Sequence, residues 1–122
     1  MPEIDIYNVR ALGEPLGQYH HVTRVKASEY LFIAGMLSSD ENGEIVGDGD
    51  FDAQCRQVFR NLETALESAG AGWRNIVQFT TYLVHSQSIS NFMHYRSREF
   101  PKMFPDGKFP PNTVEVQAVA AI

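Results

Sequence analysis

Between Phe51 and Ala69, apolar residues recur at intervals of three and four. Cys55, Val58, Phe59, Leu62, Ala65, Leu66 and Ala69 therefore share one face of a predicted helix. Asp50 stands where an N-cap is needed, and Gly70 where a left-handed residue can end the helix, so chemistry bounds it at both ends. A second helix is predicted after Ser88 from Ile89, Phe92, Met93, Arg96 and Phe100, with Ser88 or Ser90 as its cap and Pro101 near its end. The remaining pattern is of strand type. Residues 4–9 alternate apolar and polar positions. Residues 19–25 and 30–36, rich in β-branched and aromatic side chains, flank the polar turn Lys26-Ala27-Ser28-Glu29 and read as a hairpin. Residues 40–50 read as a loop with a short strand at 44–46. Residues 76–84 read as a central strand, and 114–120 as the last strand after the turn-rich Pro105-Asp106-Gly107-Lys108.

The order is then βββ-α-β-α-β, with no internal repeat. Two helices with one apolar stripe each need a sheet to cover, which predicts an α+β architecture, a mixed sheet with both helices packed on one face. The sheet's other face also carries apolar residues, and their burial against further copies of the chain predicts a symmetric homo-oligomer. A length of 122 residues, 43% of them hydrophobic and 20% charged, fits a single domain over residues 1–122.

Charge and cysteine usage narrow the function classes. The formal net charge is -5 with both signs interspersed, which leaves no basic stripe for nucleic acid. No apolar run is long enough to span a membrane, and the acidic N-terminus lacks the basic and apolar regions of a secretory signal. Cys55 is the sole cysteine, so an intrachain disulfide is excluded, and a reducing, cytoplasmic setting is the simplest reading. On the first helix's apolar face, Cys55 reads as an inert thiol. His20 and His21 point to opposite faces of a strand, and His85 and His94 have no partnering spacing, so no metal site is expected. Arg96 and Arg98 read most simply as solvated or salt-bridged.

Five stretches, in order, resemble one known family. They are Gly17-Gln18-Tyr19 before the second strand; Leu31-Phe32-Ile33-Ala34-Gly35-Met36; Gln54 with Val58, Asn61 and Leu62 on the first helix; Ile76 to Leu83; and the closing Val114-Glu115-Val116-Gln117-Ala118-Val119-Ala120. The chain thus resembles, over nearly its whole length, the Rid proteins, also called the YjgF/YER057c/UK114 family. The resemblance implies a chorismate-mutase-like fold, a homotrimer, and small-molecule clefts between subunits, with no cofactor. In active members of that family an arginine pairs with the carboxylate of a 2-imino or 2-amino-alkenoic acid, while a glutamate and backbone groups position the attacking water. Ammonia and a 2-oxo acid result. A fixed guanidinium suits this task because it makes two parallel hydrogen bonds to a carboxylate.

Four matched positions depart from that pattern. Asn112 stands where the resemblance places the arginine, and Gln117 where it places a final-strand glutamate. Met36 and Ala34 replace the glutamine and serine on either side of Gly35. The C-terminus departs too. Family members carry two strands after the arginine, whereas residues after Asn112 run directly into what reads as the last one, so either a hairpin is lost or the sequence omits part of the chain.

The resemblance places Asn112 and Gln117 in catalytic positions, and Tyr19, Gly35, Met36 and Asn112 around the substrate. Several candidates have a plainer reading: Tyr19 as a half-buried strand aromatic, Gly35 as a point of close backbone approach, Asn112 as the shaper of the turn after Pro110 and Pro111. Three functions follow. The first is hydrolytic deamination of an imine, enamine or related C–N metabolite with altered specificity. The second is a non-catalytic trimer that binds small metabolites, carboxylates among them. The third is an endoribonuclease or translation inhibitor, which the acidic balance disfavours.

Overall fold

The computed structural model describes residues 2–116. Those residues hold strands β1 (Glu3–Tyr7) and β2 (Val22–Lys26), helix α1 (Phe51–Ser68), strand β3 (Phe79–Leu83), helix α2 (Ser88–Met103) and strand β4 (Asn112–Val116). Two compact units are present, one of Met1–Ser28 with Ile76–Ile122 and one of Glu29–Asn75.

In the first unit, β1 pairs antiparallel with β2, with Asp5 opposite Arg24. β3 pairs parallel with β4, with Phe79 opposite Asn112 and Thr81 opposite Val114. On β3, Phe79 and Leu83 are buried while Thr80 and Tyr82 are exposed, so the strand has one covered face. An aromatic cluster packs there. Phe79 lies 5.7 Å from Phe100, which lies 5.7 Å from Phe104, and Phe104 meets Phe109 edge-on at 6.2 Å. Offset and edge-to-face pairs of this kind add to the burial of each ring. α2 supplies Phe92, Tyr95, Arg96 and Phe100 to the buried side.

The second unit is organised by α1. The Asp50 carboxylate accepts the Ala53 N–H at 3.1 Å, the cap expected from the sequence. At the other end, Ala71 N–H donates to the Leu66 carbonyl and Gly70 N–H to that of Glu67, with Gly70 at φ +71. This is a Schellman ending, and its left-handed residue is the glycine that the sequence marks. α1 buries Phe59 and Leu66, and Phe59 meets Trp73 edge-on at 6.1 Å. Its amides hold the preceding loop: Asn61 Nδ2 donates to the Ser39 carbonyl at 2.9 Å and Gln54 Nε2 to that of Gly47 at 3.0 Å. In that loop the short strand expected at 44–46 is a single bridge between Ser39 and Ile45.

Two expectations are corrected. Residues 30–36 join no ladder among the described residues, and Tyr30, Leu31 and Phe32 are exposed, Phe32 at 96%. Strand propensity yields a strand only when a neighbour takes its N–H and C=O groups, and the described ladders pair β1 with β2 and β3 with β4, none with residues 30–36. Among the described residues the strands form one antiparallel ladder, β1 with β2, and one parallel ladder, β3 with β4. The cap of α2 is Gln87, with no side-chain bond; Ser88 and Ile89 N–H groups donate instead to the His85 and Ser86 carbonyls. As expected, Pro101 stands near the end of α2, which runs on to Met103 because a proline in the last turn forfeits only one N–H, that toward exposed Ser97.

Candidate functional site

Asn112 opens β4 directly beside Phe79, the first residue of β3. Its position is set from both sides. Phe79 N–H donates to the Pro111 carbonyl at 2.9 Å, and Pro110 is fully buried. One step earlier, His20 N–H donates to the Phe109 carbonyl at 2.9 Å, while Phe109 N–H reaches His20 Nδ1 at 3.2 Å. Nδ1 lies 3.0 Å from the Phe109 carbonyl as well, so it meets both main-chain groups of Phe109, as acceptor from one or donor to the other according to its tautomer. His20 is thus a clamp on the segment leading into Asn112 rather than a candidate ligand.

The Asn112 side chain is turned by Thr81. Its Oδ1 accepts from the Thr81 hydroxyl at 3.1 Å, and its Nδ2 is buried with no hydrogen-bond partner among the described residues. A buried amide N–H without an acceptor costs about 1–3 kcal/mol, so such a group is either strained or awaiting a ligand atom.

Tyr19 belongs to the same unit. It is half-buried, its hydroxyl accepts the Leu16 N–H at 3.4 Å, and its ring meets His21 edge-on at 6.4 Å. The Arg96 guanidinium carbon lies 5.7 Å from the Tyr19 ring centre and 5.2 Å from that of Phe92. Sequence leaves both the strand-aromatic and the site reading of Tyr19 open. The structure places it outside β2, in the irregular segment before that strand.

Gly35 and Met36 lie in the second unit. A Cβ built on Gly35 meets nothing within 4 Å, so the close backbone approach expected there is absent among the described residues. Met36 is half-buried. Gln117 lies outside the described residues. Cys55 is half-buried rather than enclosed. Among the described residues no group of three or more His, Cys, Asp or Glu is placed to hold a metal ion, and no helix is long and apolar enough to cross a membrane.

The reading of Arg96 as solvated or salt-bridged is overturned. Arg96 is 2% exposed and, among the described residues, has no carboxylate partner and leaves Nε and Nη1 without any hydrogen bond. Burial pulls its pKa below the usual value, opposed by the neighbouring Tyr19. One signal is present in the sequence: Arg96 occupies the apolar face of α2, four residues after Phe92 and four before Phe100.

The family model described as "Endoribonuclease L-PSP" matches residues 10–122. The chain belongs to this family. Among curated members, a RutC family protein of Pyrococcus abyssi is 32% identical over 93 residues, covering 75% of this chain and 71% of its own. A RutC family protein of Synechocystis is 37% identical over 70 residues, 57% of this chain and 52% of its own. The 3-aminoacrylate deaminase RutC of Acinetobacter baylyi is 34% identical over 62 residues, 51% of this chain and 48% of its own. The chain spans about half the length of these last two relatives.

A solved structure of the Rid family protein YyfB from Yersinia pestis, described as of unknown function, superposes with a TM-score of 0.78 at 30% identity. It covers 97% of this chain and 89% of its own. The yeast protein YEO7 shares the fold at a TM-score of 0.64 and 16% identity. The resemblance to Rid proteins read from the sequence therefore holds, and the L-PSP family chain has the α+β, YjgF-like fold.

Proposed function

We propose that this chain is a Rid-type protein that hydrolyses an imine, an enamine or a related C–N metabolite, with a specificity different from that of arginine-bearing relatives. One observation carries the reading: Asn112, at the position where the resemblance places the substrate arginine, has its oxygen fixed by Thr81 and its Nδ2 buried without an acceptor among the described residues. A ligand carbonyl or carboxylate oxygen would complete it. Because the amide brings no charge, it forfeits about 1.5–3 kcal/mol of charged hydrogen bonding, which shifts preference away from simple imino acids.

The reaction is addition of water across C=N followed by loss of ammonia, leaving a carbonyl product. Positioning of the electrophile supplies most of the catalysis, and no cofactor is called for. The relative named 3-aminoacrylate deaminase supports an enamine or imine substrate. Gln117, Gly35 and Met36 complete the site in this proposal, in clefts between the subunits of a homotrimer in the cytoplasm. The exposed Tyr30, Leu31, Phe32 and Leu37 support assembly, since a run of this apolarity calls for cover.

The second reading is a non-catalytic metabolite-binding trimer. It is favoured by the character of the partners that Asn112, Tyr19 and Arg96 have among the described residues: a hydroxyl, a main-chain N–H, a thioether and aromatic rings, none of them a carboxylate base. Endoribonuclease activity stands last, since a net charge of -5 opposes phosphate binding.

The test is hydrolysis of 2-iminopropanoate and of a panel of enamines, generated in situ and followed by trapping and by ammonia release, for the native chain, Asn112→Ala and Asn112→Arg. Turnover of at least one compound, lost in Asn112→Ala, is expected. Ligand-dependent thermal stabilisation with no ammonia release from any compound sinks the enzyme reading in favour of binding. A gain of 2-iminopropanoate hydrolysis in Asn112→Arg alone shows a working cleft turned to another ligand.

A further inference from the structure

Arg96 is enclosed, and its Nε and Nη1 are buried with no hydrogen-bond partner among the described residues. The third nitrogen, Nη2, donates to the Met93 sulfur at 2.8 Å. A thioether is a weak acceptor, and the faces of Tyr19 and Phe92 soften the cost of the charge without supplying a lone pair. Met93 stands three residues before Arg96 on α2, a spacing that makes the two side chains neighbours on the helix surface. Unlike Arg96, it is only half-buried. The pair therefore joins a sulfur partly open to solvent with an enclosed cation short of acceptors.

We propose that Met93 is an oxidation-receptive methionine whose sulfoxide is held by Arg96. In the step, a lone pair of the Met93 sulfur attacks one oxygen of a hydroperoxide, an S–O bond forms and the O–O bond breaks. The proton on the transferred oxygen passes to the departing one, which leaves as water or an alcohol. The sulfur is oxidised by two electrons and the hydroperoxide is reduced by two. One sulfur lone pair faces Nη2, and the second is left for the oxidant. Negative charge develops on the departing oxygen beside a guanidinium that already touches the sulfur, which favours the step.

A sulfoxide among apolar side chains ordinarily disrupts packing, because its oxygen is strongly polar and finds no donor there. Here that oxygen is bonded to an atom 2.8 Å from Nη2, within reach of a guanidinium edge with unused donors. Oxidation replaces a weak acceptor with a strong one, and the resulting charge-assisted hydrogen bond offsets the desolvation of both groups.

The experiment uses the full chain carrying Met36→Leu and Met103→Leu, which leaves Met93 as the one methionine after residue 1. The protein is treated with hydrogen peroxide in native buffer, oxygen uptake is located by peptide mass, and thermal unfolding is followed by circular dichroism. Met93 is expected to gain one oxygen while the spectrum stays native, and the oxidised protein to melt no lower than the untreated one. Met93→Gln supplies an amide oxygen near the same place without an oxidant, whereas Met93→Leu supplies none. With Arg96 in place, Met93→Gln is expected to melt about 3 °C or more above Met93→Leu; in an Arg96→Leu background, which removes the buried charge, the order is expected to reverse. The first of these comparisons stands by itself should Arg96→Leu fail to fold. A native protein that takes up no oxygen at Met93, a melting temperature lowered by its oxidation, or Met93→Gln melting at or below Met93→Leu with Arg96 in place each overturns the proposal. So does the same difference between the two substitutions in both backgrounds, which would make Arg96 a bystander.

Discussion

The Thr81 hydroxyl donates to the amide oxygen of Asn112 at 3.1 Å, across two parallel strands, and so decides that the amide's nitrogen rather than its oxygen is left without a partner among the described residues. Thr81→Val removes that donor while keeping the side chain's shape. We expect a loss of about 1 kcal/mol in urea unfolding, and a weaker preference for acceptor-bearing ligands because the amide can then turn over. Unchanged stability together with unchanged ligand preference would show that the pair orients nothing.

His20 ties both main-chain groups of Phe109, three residues before Asn112. His20→Ala leaves the Phe109 N–H without its side-chain partner. A destabilisation of about 1 kcal/mol is expected, accompanied by faster amide exchange at Phe109. Exchange at Phe109 as slow as in the wild type would count against the clamp.

Phe100 has no exposed surface and touches Phe79, Phe104 and Phe109. Phe100→Ala should lower unfolding stability by about 3–5 kcal/mol, the range for deleting a large buried ring. A cost under about 1 kcal/mol would place the ring outside the cooperative core.

The ends of α1 allow a matched pair of tests. Asp50→Ala removes the bond to Ala53 N–H, and Gly70→Ala puts a side chain at φ +71. Each should cost about 1 kcal/mol by chemical denaturation, and the two should add, since they lie at opposite ends of an 18-residue helix. Strong non-additivity would mean that the helix frays as one unit.

For α1, local chemistry and periodicity agree: a capping carboxylate, a three-and-four apolar face and a terminal glycine each fix backbone geometry within a few residues. That is why its cap and its ending are legible in the sequence alone. Residues 30–36 have the composition of a strand, yet the ladder partner that makes a strand is chosen by distant chain, and β2 pairs with β1. Arg96 departs from its sequence reading for a related reason. Charge alone predicts a solvated side chain, and only packing shows that Tyr19, Phe92 and Met93 enclose it.

The family and the α+β class are carried by the sequence itself, because both rest on motifs and periodicities that survive without a neighbour. So is Asn112 as the residue to watch. Its hydrogen-bonded state, the His20 clamp and the burial of Arg96 with no carboxylate partner among the described residues are decided by tertiary structure alone. Each depends on which groups distant segments bring together and on what they exclude from water, and none is a property of any local stretch of chain.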